Sequence, residues 1–305
     1  MRRAAASAPG SVANLGCLFD VAATAVNLAR DVVTIKEVAG GGIRVRARGG
    51  VPEGRENVAY AAARALLELV ECSAGLEILV EKGVPVGAGL GSSGATAAAT
   101  VVALDELLGV SATTGELIVA AGEGEALAAG SPHYDNVAAS IVGGVVLVNP
   151  EDPRDFLKLE PPRDLALVLF LRERGGKRKT MEMRRVLPSQ VPLEAVAKQA
   201  WAAARFVASL FLGDLRGLGY AFCEGGPVEQ ARGSLLPGYW EAKREALEAG
   251  ALGFNISGAG PSLIAVCKPE DAVEVARAVG NLLRRIGVAV DPVITTVDAV
   301  GATAH

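Results

Sequence analysis

Histidine is nearly absent from this 305-residue chain, which holds only His133 and His305. A zinc site built from several histidines is thereby excluded, and Ser-His-Asp hydrolysis would have to centre on His133. Cysteine is almost as scarce. Cys17, Cys72, Cys223 and Cys267 are scattered, with no CxxC or related metal spacing, so they read as reduced, buried thiols of a cytoplasmic protein. No run of five Lys or Arg occurs and the net charge is -4. That argues against nucleic acid as a partner, because a phosphate backbone asks for a basic face. Every apolar stretch is broken by Gly, Pro or charge before it reaches bilayer length, so no membrane span is expected. The opening Met1-Arg2-Arg3-Ala4-Ala5-Ala6 runs at once into Pro9-Gly10, which leaves no signal-peptide core.

What the chain does have is a globular balance, 50% hydrophobic and 21% charged, with length enough for two domains. Val32–Val38 and Ile43–Ala47 read as strands joined in a hairpin by Gly40-Gly41-Gly42. Arg55–Glu71 has helical periodicity, and Leu76–Val80 reads as a strand. A glycine-rich loop at 83–94 leads into a small-residue helix ending near Leu108, and Thr113 or Thr114 with Glu116 caps another helix. Glu151–Pro162 is proline-rich and charged and reads as a linker. Beyond it come the strand Leu165–Leu171, further helices, two strands around a second glycine-rich turn, and the amphipathic helix Pro269–Ile286. The expectation is two α+β domains, 1–154 and 155–305.

The most informative stretch is Pro85-Val86-Gly87-Ala88-Gly89-Leu90-Gly91-Ser92-Ser93-Gly94-Ala95. Glycines let backbone amides wrap a phosphate, and the helix opening at Ser92-Ser93 turns a positive dipole end toward it. Three readings compete. One is a serine-capped turn. The second is a dinucleotide site, since Gly89-Leu90-Gly91-Ser92-Ser93-Gly94 spells GxGxxG, but the βαβ unit that motif needs is replaced here by a second helix. The third is an ATP-phosphate loop without the Gly-Lys-Ser/Thr of a Walker A.

This loop resembles the central ATP motif of the GHMP kinases, a family that phosphorylates galactose, homoserine, mevalonate and phosphomevalonate. Two further stretches match it in order: Ala8-Pro9-Gly10-Ser11-Val12-Ala13-Asn14-Leu15-Gly16 with Phe19-Asp20, and Ser257-Gly258-Ala259-Gly260-Pro261-Ser262. The resemblance implies a ribosomal-protein-S5-domain-2-like α/β domain followed by a ferredoxin-like α+β domain, with ATP as co-substrate and Mg²⁺ as cofactor. Within the family, His133-Tyr134-Asp135-Asn136-Val137-Ala138 before Gly143-Gly144 is similar to the homoserine kinases. So are Lys179-Thr180 with Arg184 and Leu187-Pro188, and Arg232 ahead of Pro237-Gly238. Cys17-Leu18 stand where the family usually has Pro-Gly, a departure that bears on the turn carrying Asp20.

Carried onto these positions, the resemblance implies that residues 85–95 hold the ATP phosphates and that Ser93 and Glu125 bind Mg²⁺, a cation that prefers oxygen. Glu123, one step away on the same helix, reads as a solvated residue. L-homoserine is a zwitterion with one reactive hydroxyl. Arg184 and Arg232 suit its carboxylate and Asp20 its ammonium, while Asn14, His133, Asn136 and Thr180 could orient it. Bland roles stand beside these: Asn14 and Asn136 as turn caps, His133 as a hydrogen-bonded core residue. Asp135 is a general-base candidate by analogy with mevalonate kinase, although direct attack is the reading usually attached to homoserine kinases. The rivals are another kinase of the fold, for mevalonate or shikimate, and a non-catalytic ATP or metabolite sensor. A homodimer is expected from the resemblance alone.

Overall fold

Two strands of mostly buried, small and β-branched residues at the start of the chain make a long antiparallel pair, β1 (Arg3–Ala13) and β2 (Ala22–Val38). The computed structural model describes residues 2–172 and 179–305, leaving aside the side chains of residues 127–129, 179 and 180. After β3 (Ile43–Arg48) the chain crosses through α1 (Val58–Leu69) to β4 (Gly75–Glu81). β4 lies between β2 and β3, antiparallel to the first and parallel to the second. The expected hairpin between β2 and β3 therefore does not form. Parallel pairing needs a crossover helix, and α1, whose apolar face is buried, supplies it.

Helices α2 (Ser92–Leu108), α3 (Thr114–Ala129) and α4 (Tyr134–Val142) pack against this sheet. Alanines dominate the buried face of α2, so neighbouring backbones approach closely. Thr113 and Glu116 form a reciprocal capping box at the start of α3. The sheet is completed by β5 (Val145–Val148) and β6 (Phe156–Leu159). Residues 151–162, expected as a linker, thus contain a strand that pairs with β5, because Phe156 and Leu159 give it apolar residues to bury.

A second sheet is built from β7 (Ala166–Leu171) and three later strands. After β7 come α5 (Lys179–Arg185), α6 (Leu193–Leu212), α7 (Leu215–Cys223), α8 (Gly226–Gly233) and α9 (Tyr239–Glu248). Then β8 (Gly253–Ile256), β9 (Leu263–Cys267), α10 (Ala272–Arg285) and β10 (Asp291–Thr295) follow. The four strands pair antiparallel in the order β10-β7-β9-β8. A last strand, β11 (Thr303–Ala304), returns to β1 in the first sheet. One core cluster joins the two halves, with Val12 and Leu90 from the first packed among Leu169, Phe206 and Ile264 of the second. Among the described residues no helix is long and apolar enough to cross a membrane.

Candidate active site

Three glycine-bearing turns far apart in sequence meet backbone to backbone. Ser11 N–H donates to the Leu90 carbonyl (3.0 Å), and the Ser257 hydroxyl donates to the Gly89 carbonyl (2.7 Å). Gly89 has a positive φ, and a Cβ there would sit 2.6 Å from the carbonyl oxygens of Gly260 and Ser257. Gly91 is also left-handed, and its Cβ would fall 2.1 Å from Ser11 Oγ. No other residue type fits either place. Gly91 caps α2 without a side chain, so the first amides of that helix remain available to an anion.

A buried ion pair anchors the loop from behind. Lys82 Nζ donates to Asp31 Oδ2, to the Ser92 carbonyl (2.8 Å) and to Thr96 Oγ1 (2.9 Å). Asp31 Oδ1 accepts from the amides of Gly83 and Val84 at 3.0 Å each. Burial pushes the Lys82 pKa down, while the charge and hydrogen bond of Asp31 work against it. This pair escaped the reading of the sequence. The available signals were an acid inside the apolar run of β2 and a lysine directly before the glycine loop.

Beside the loop, Ser93 Oγ donates to Glu125 Oε1 (2.9 Å). The other carboxylate oxygen, Oε2, accepts from His133 N–H (3.0 Å) and lies 2.9 Å from His133 Nδ1. Glu125 is buried whereas Glu123 is exposed. Burial lowers the His133 pKa, but the Glu125 hydrogen bond and the charges of Glu125, Asp135 and Asp20 outweigh it, for a net rise. Asp135 is 2% exposed, and burial first, then the charges of Asp20 and Glu125, push its carboxyl up to about 6 against the pull of His133 and the Asn136 amide. Its Oδ1 accepts from Asn136 N–H (2.7 Å) and Nδ2–H (3.2 Å). Asn136 Oδ1 in turn accepts from Ser11 (2.9 Å).

The rest of the polar lining comes from the turn after β1 and from the second half. Asn14 and Asp20 both have positive φ. Asn14 donates to the Gly258 carbonyl (3.0 Å) and accepts from Asp20 N–H (3.1 Å), so the turn closes with Cys17-Leu18 in it. Arg184 pairs with Asp20 through its two terminal guanidinium nitrogens, Nη1 and Nη2. Arg232 is buried, donates to the carbonyls of Met183 (3.1 Å) and Gly258 (3.3 Å), and has its pKa lowered to about 10, chiefly by burial. Phe19 lies between the two arginines, its ring centroid 5.6 Å from Arg184 and 5.2 Å from Arg232. Asp20 and Arg184, expected to take opposite charges of the acceptor, face each other instead, since each is the other's nearest counter-ion.

All of this surrounds one cavity of about 370 Å³. Asn14, Asp20, Glu125, His133, Asp135, Asn136, Arg184 and Arg232 line it. From the loop, Val86, Gly87, Gly89, Leu90, Gly91, Ser92 and Ser93 reach it. Pro85, Ala88, Gly94 and Ala95 do not line it: Ala88 and Ala95 are buried in the core between the halves, and Gly94 packs against Asn136. The Thr180 side chain lies outside the described residues. The other rim is formed by Gly50, Val51, Pro52, Glu56, Asn57 and Val58, none of which the sequence reading singled out.

The family model of the GHMP kinase N-terminal domain matches residues 57–144, and that of the C-terminal domain matches residues 206–285. The chain belongs to the GHMP kinase family. Among curated relatives of this GHMP kinase is a homoserine kinase of Thermoplasma acidophilum, 40% identical over 90% of the chain and 87% of the relative. Another, from Pyrococcus furiosus, is 37% identical over 95% of the chain and 96% of the relative. A crystal structure of homoserine kinase from Cytophaga hutchinsonii superposes with a TM-score of 0.91 at 34% identity, covering 100% of this chain and 98% of that one. The chain is an ATP-dependent kinase acting on a small molecule, and its two sheets with their helices are the fold expected of the family.

Proposed function

We propose that this kinase transfers the terminal phosphoryl of ATP to the side-chain hydroxyl of L-homoserine, forming O-phospho-L-homoserine for threonine biosynthesis in the cytoplasm. The observation that carries the reading is the cavity itself, where the phosphate-type loop and a buried carboxylate face a wall holding Arg184, Asp20 and Arg232. One side suits a polyphosphate and the other a zwitterion. The relatives' own activity points the same way.

In this reading the glycine loop and the start of α2 hold the ATP phosphates, and the rim at 50–58 holds the base. The acceptor carboxylate lies against the arginines and its ammonium near Asp20. Asp135 accepts the proton of the hydroxyl as its oxygen attacks the terminal phosphorus. The bond from that phosphorus to the bridging oxygen breaks, and ADP leaves with the electron pair. Little else is asked of the protein, because phosphoryl transfer depends mainly on position and charge. Among the described residues no cluster of three or more His, Cys, Asp or Glu could hold a metal by itself. Ser93 and Glu125 nonetheless present oxygens beside the loop, a donor set that fits Mg²⁺ carrying waters and nucleotide phosphates. When bound there, Mg²⁺ would neutralise phosphate charge. A second copy of the chain is the proposed macromolecular partner, and the division into domains at 1–154 and 155–305 is proposed with β6 and β11 completing the first sheet.

A coupled ADP-release assay tests the substrate. Homoserine is expected to turn over with a kcat/KM well above that of mevalonate or shikimate, and galactose is expected not to react. Faster turnover of mevalonate would overturn the assignment and leave the family intact. The metal reading has its own test. Glu125→Gln is expected to raise the Mg²⁺ concentration for half-maximal rate and lower kcat roughly 10-fold or more, while the exposed Glu123→Gln leaves both unchanged. Equal effects of the two substitutions would show that Glu125 is not a metal ligand.

A further inference from the structure

Arg232 is a buried cation that no acid answers. Its Nε and Nη1 donate to the Met183 and Gly258 carbonyls, and among the described residues Nη2 has no hydrogen-bond partner. The nearby carboxylate of Asp20 pairs with Arg184 instead. Both guanidinium groups line the same cavity, and the charge of Arg184 works against that of Arg232. Like charges gathered in a partly desolvated place are costly unless something offsets them. The group that both reach is the Phe19 ring, whose centroid is 5.6 Å from one and 5.2 Å from the other. Among the described residues Phe19 is the one ring that carries two cations, whereas Tyr60 and Trp240 carry one each. The backbone that delivers this ring has little freedom. Asn14 N–H donates to the Ala22 carbonyl (2.7 Å), Leu18 N–H to that of Asn14 (2.9 Å) and Val21 N–H to that of Leu18 (3.0 Å). Gly16 lies so close to the second half that a Cβ there would meet the Phe222 carbonyl oxygen at 2.1 Å. The turn is therefore pinned from both sides, and Phe19 with it.

We propose that Phe19 is a positioning residue for the phosphoryl acceptor: its ring holds Arg184 and Arg232 for one carboxylate without neutralising either. The inference rests on the carboxylate reading of the two arginines above and adds the group that arranges them. The residue type decides between the ways of holding two cations together. An acid at this place would pair with the guanidinium groups and compete with the carboxylate they are to receive. An aliphatic side chain would fill the space and leave their repulsion unrelieved. An aromatic ring draws each cation to its electron-rich face, an attraction worth roughly 2- to 30-fold in an equilibrium, the more so where water is excluded. That attraction does not use the N–H donors, whose bonds lie in the guanidinium plane. Arg232 Nη2, without a partner in the chain, is then a donor kept for the ligand.

The test replaces Phe19 alone with mono-, di- and trifluorophenylalanine in the full chain, because ring fluorination drains the negative face while nearly keeping the shape. The KM for homoserine is expected to rise with each fluorine, reaching roughly 10-fold at three. Over the same series kcat is expected to stay within about 2-fold, with the KM for ATP and the Tm unchanged. Phe19→Leu, which keeps apolar bulk without a ring, is expected to raise the homoserine KM roughly 10- to 30-fold, and Phe19→Tyr to restore it to within about 3-fold of wild type. A homoserine KM that stays flat across the fluorinated series would show that Phe19 only fills space, overturning this inference and leaving homoserine as the substrate. A KM for ATP that climbs in step, or a Tm that falls in step, would overturn it in favour of a structural role. A wild type that does not phosphorylate homoserine would overturn the substrate reading and this inference together.

Discussion

Asp135→Asn is expected to lose roughly 10²- to 10⁴-fold in kcat, the usual worth of a positioned proton acceptor, while becoming more stable at neutral pH. The two effects share a cause. Asp135 is nearly inaccessible, and burial pushes its carboxyl up to about 6 from 3.8. The folded state therefore binds this proton more tightly than the unfolded chain. Below about pH 4 both states are protonated and the group costs nothing. As pH rises from about 4 to 6 the unfolded chain ionises first, so stability falls, and above 6 the full penalty of about 3 kcal/mol stands. Asn keeps the acceptor oxygen that receives the Asn136 amides and removes the charge. Urea titrations of the two proteins are expected to diverge between pH 4 and 6, with the variant the more stable above. In the wild type kcat should fall below about pH 6, and the variant's small residual rate should lack that limb. His133 titrates in the same cleft and is present in both proteins, so the difference belongs to Asp135. A variant retaining near-normal kcat would show that attack proceeds without this base.

The second large effect concerns the arginines. Arg232→Ala is expected to lower kcat/KM for homoserine roughly 30- to 1000-fold, the loss of a charge-assisted pair worth about 2–4 kcal/mol in a partly desolvated site. The KM for ATP should barely move, since the Arg232 guanidinium lies on the Phe19 ring and spends its hydrogen bonds on the Met183 and Gly258 carbonyls. Some stability goes too, because the Met183 and Gly258 carbonyls lose a donor. Arg232→Lys keeps the charge without the fork, so a partial rescue of homoserine kcat/KM would separate binding from folding. Arg184→Ala should fall in the same range. Its pair with Asp20 is no obstacle, for Arg184 is 41% exposed, and opening an exposed ion pair costs at most about 1 kcal/mol. A homoserine analogue lacking the carboxylate should be a poor substrate and lose little more in either variant. Should either protein keep a near-normal KM for homoserine, that arginine is not a carboxylate ligand.

Much of this molecule could be read in the chain before it was folded. The loop at 85–95 was legible because its demand is local: a left-handed Gly89 and Gly91 in tight contact admit no side chain, so the glycines must be written in the sequence. The capping box at Thr113 and Glu116 and the periodicity of α1 and α10 are local in the same sense. The choice of Glu125 over Glu123 came from resemblance, and the fold shows one of them buried and the other exposed.

What the sequence left open lies in contacts across long separations. The hairpin expected between β2 and β3 fails because β4 enters from 37 residues beyond Val38, counted to Gly75, and nothing in either strand announces which neighbour it will take. Asp31 looks like an ordinary strand residue and Lys82 like an ordinary residue at a strand end until the fold sets them together. Asp20 and Arg184 read as independent ligands, and only the closure of one half on the other pairs them. Local backbone chemistry is decided by the residue itself and is visible in one dimension. Ion pairs and strand order depend on which surfaces meet, and that was decided by the tertiary structure, where burial strengthens one charge pair and water weakens another.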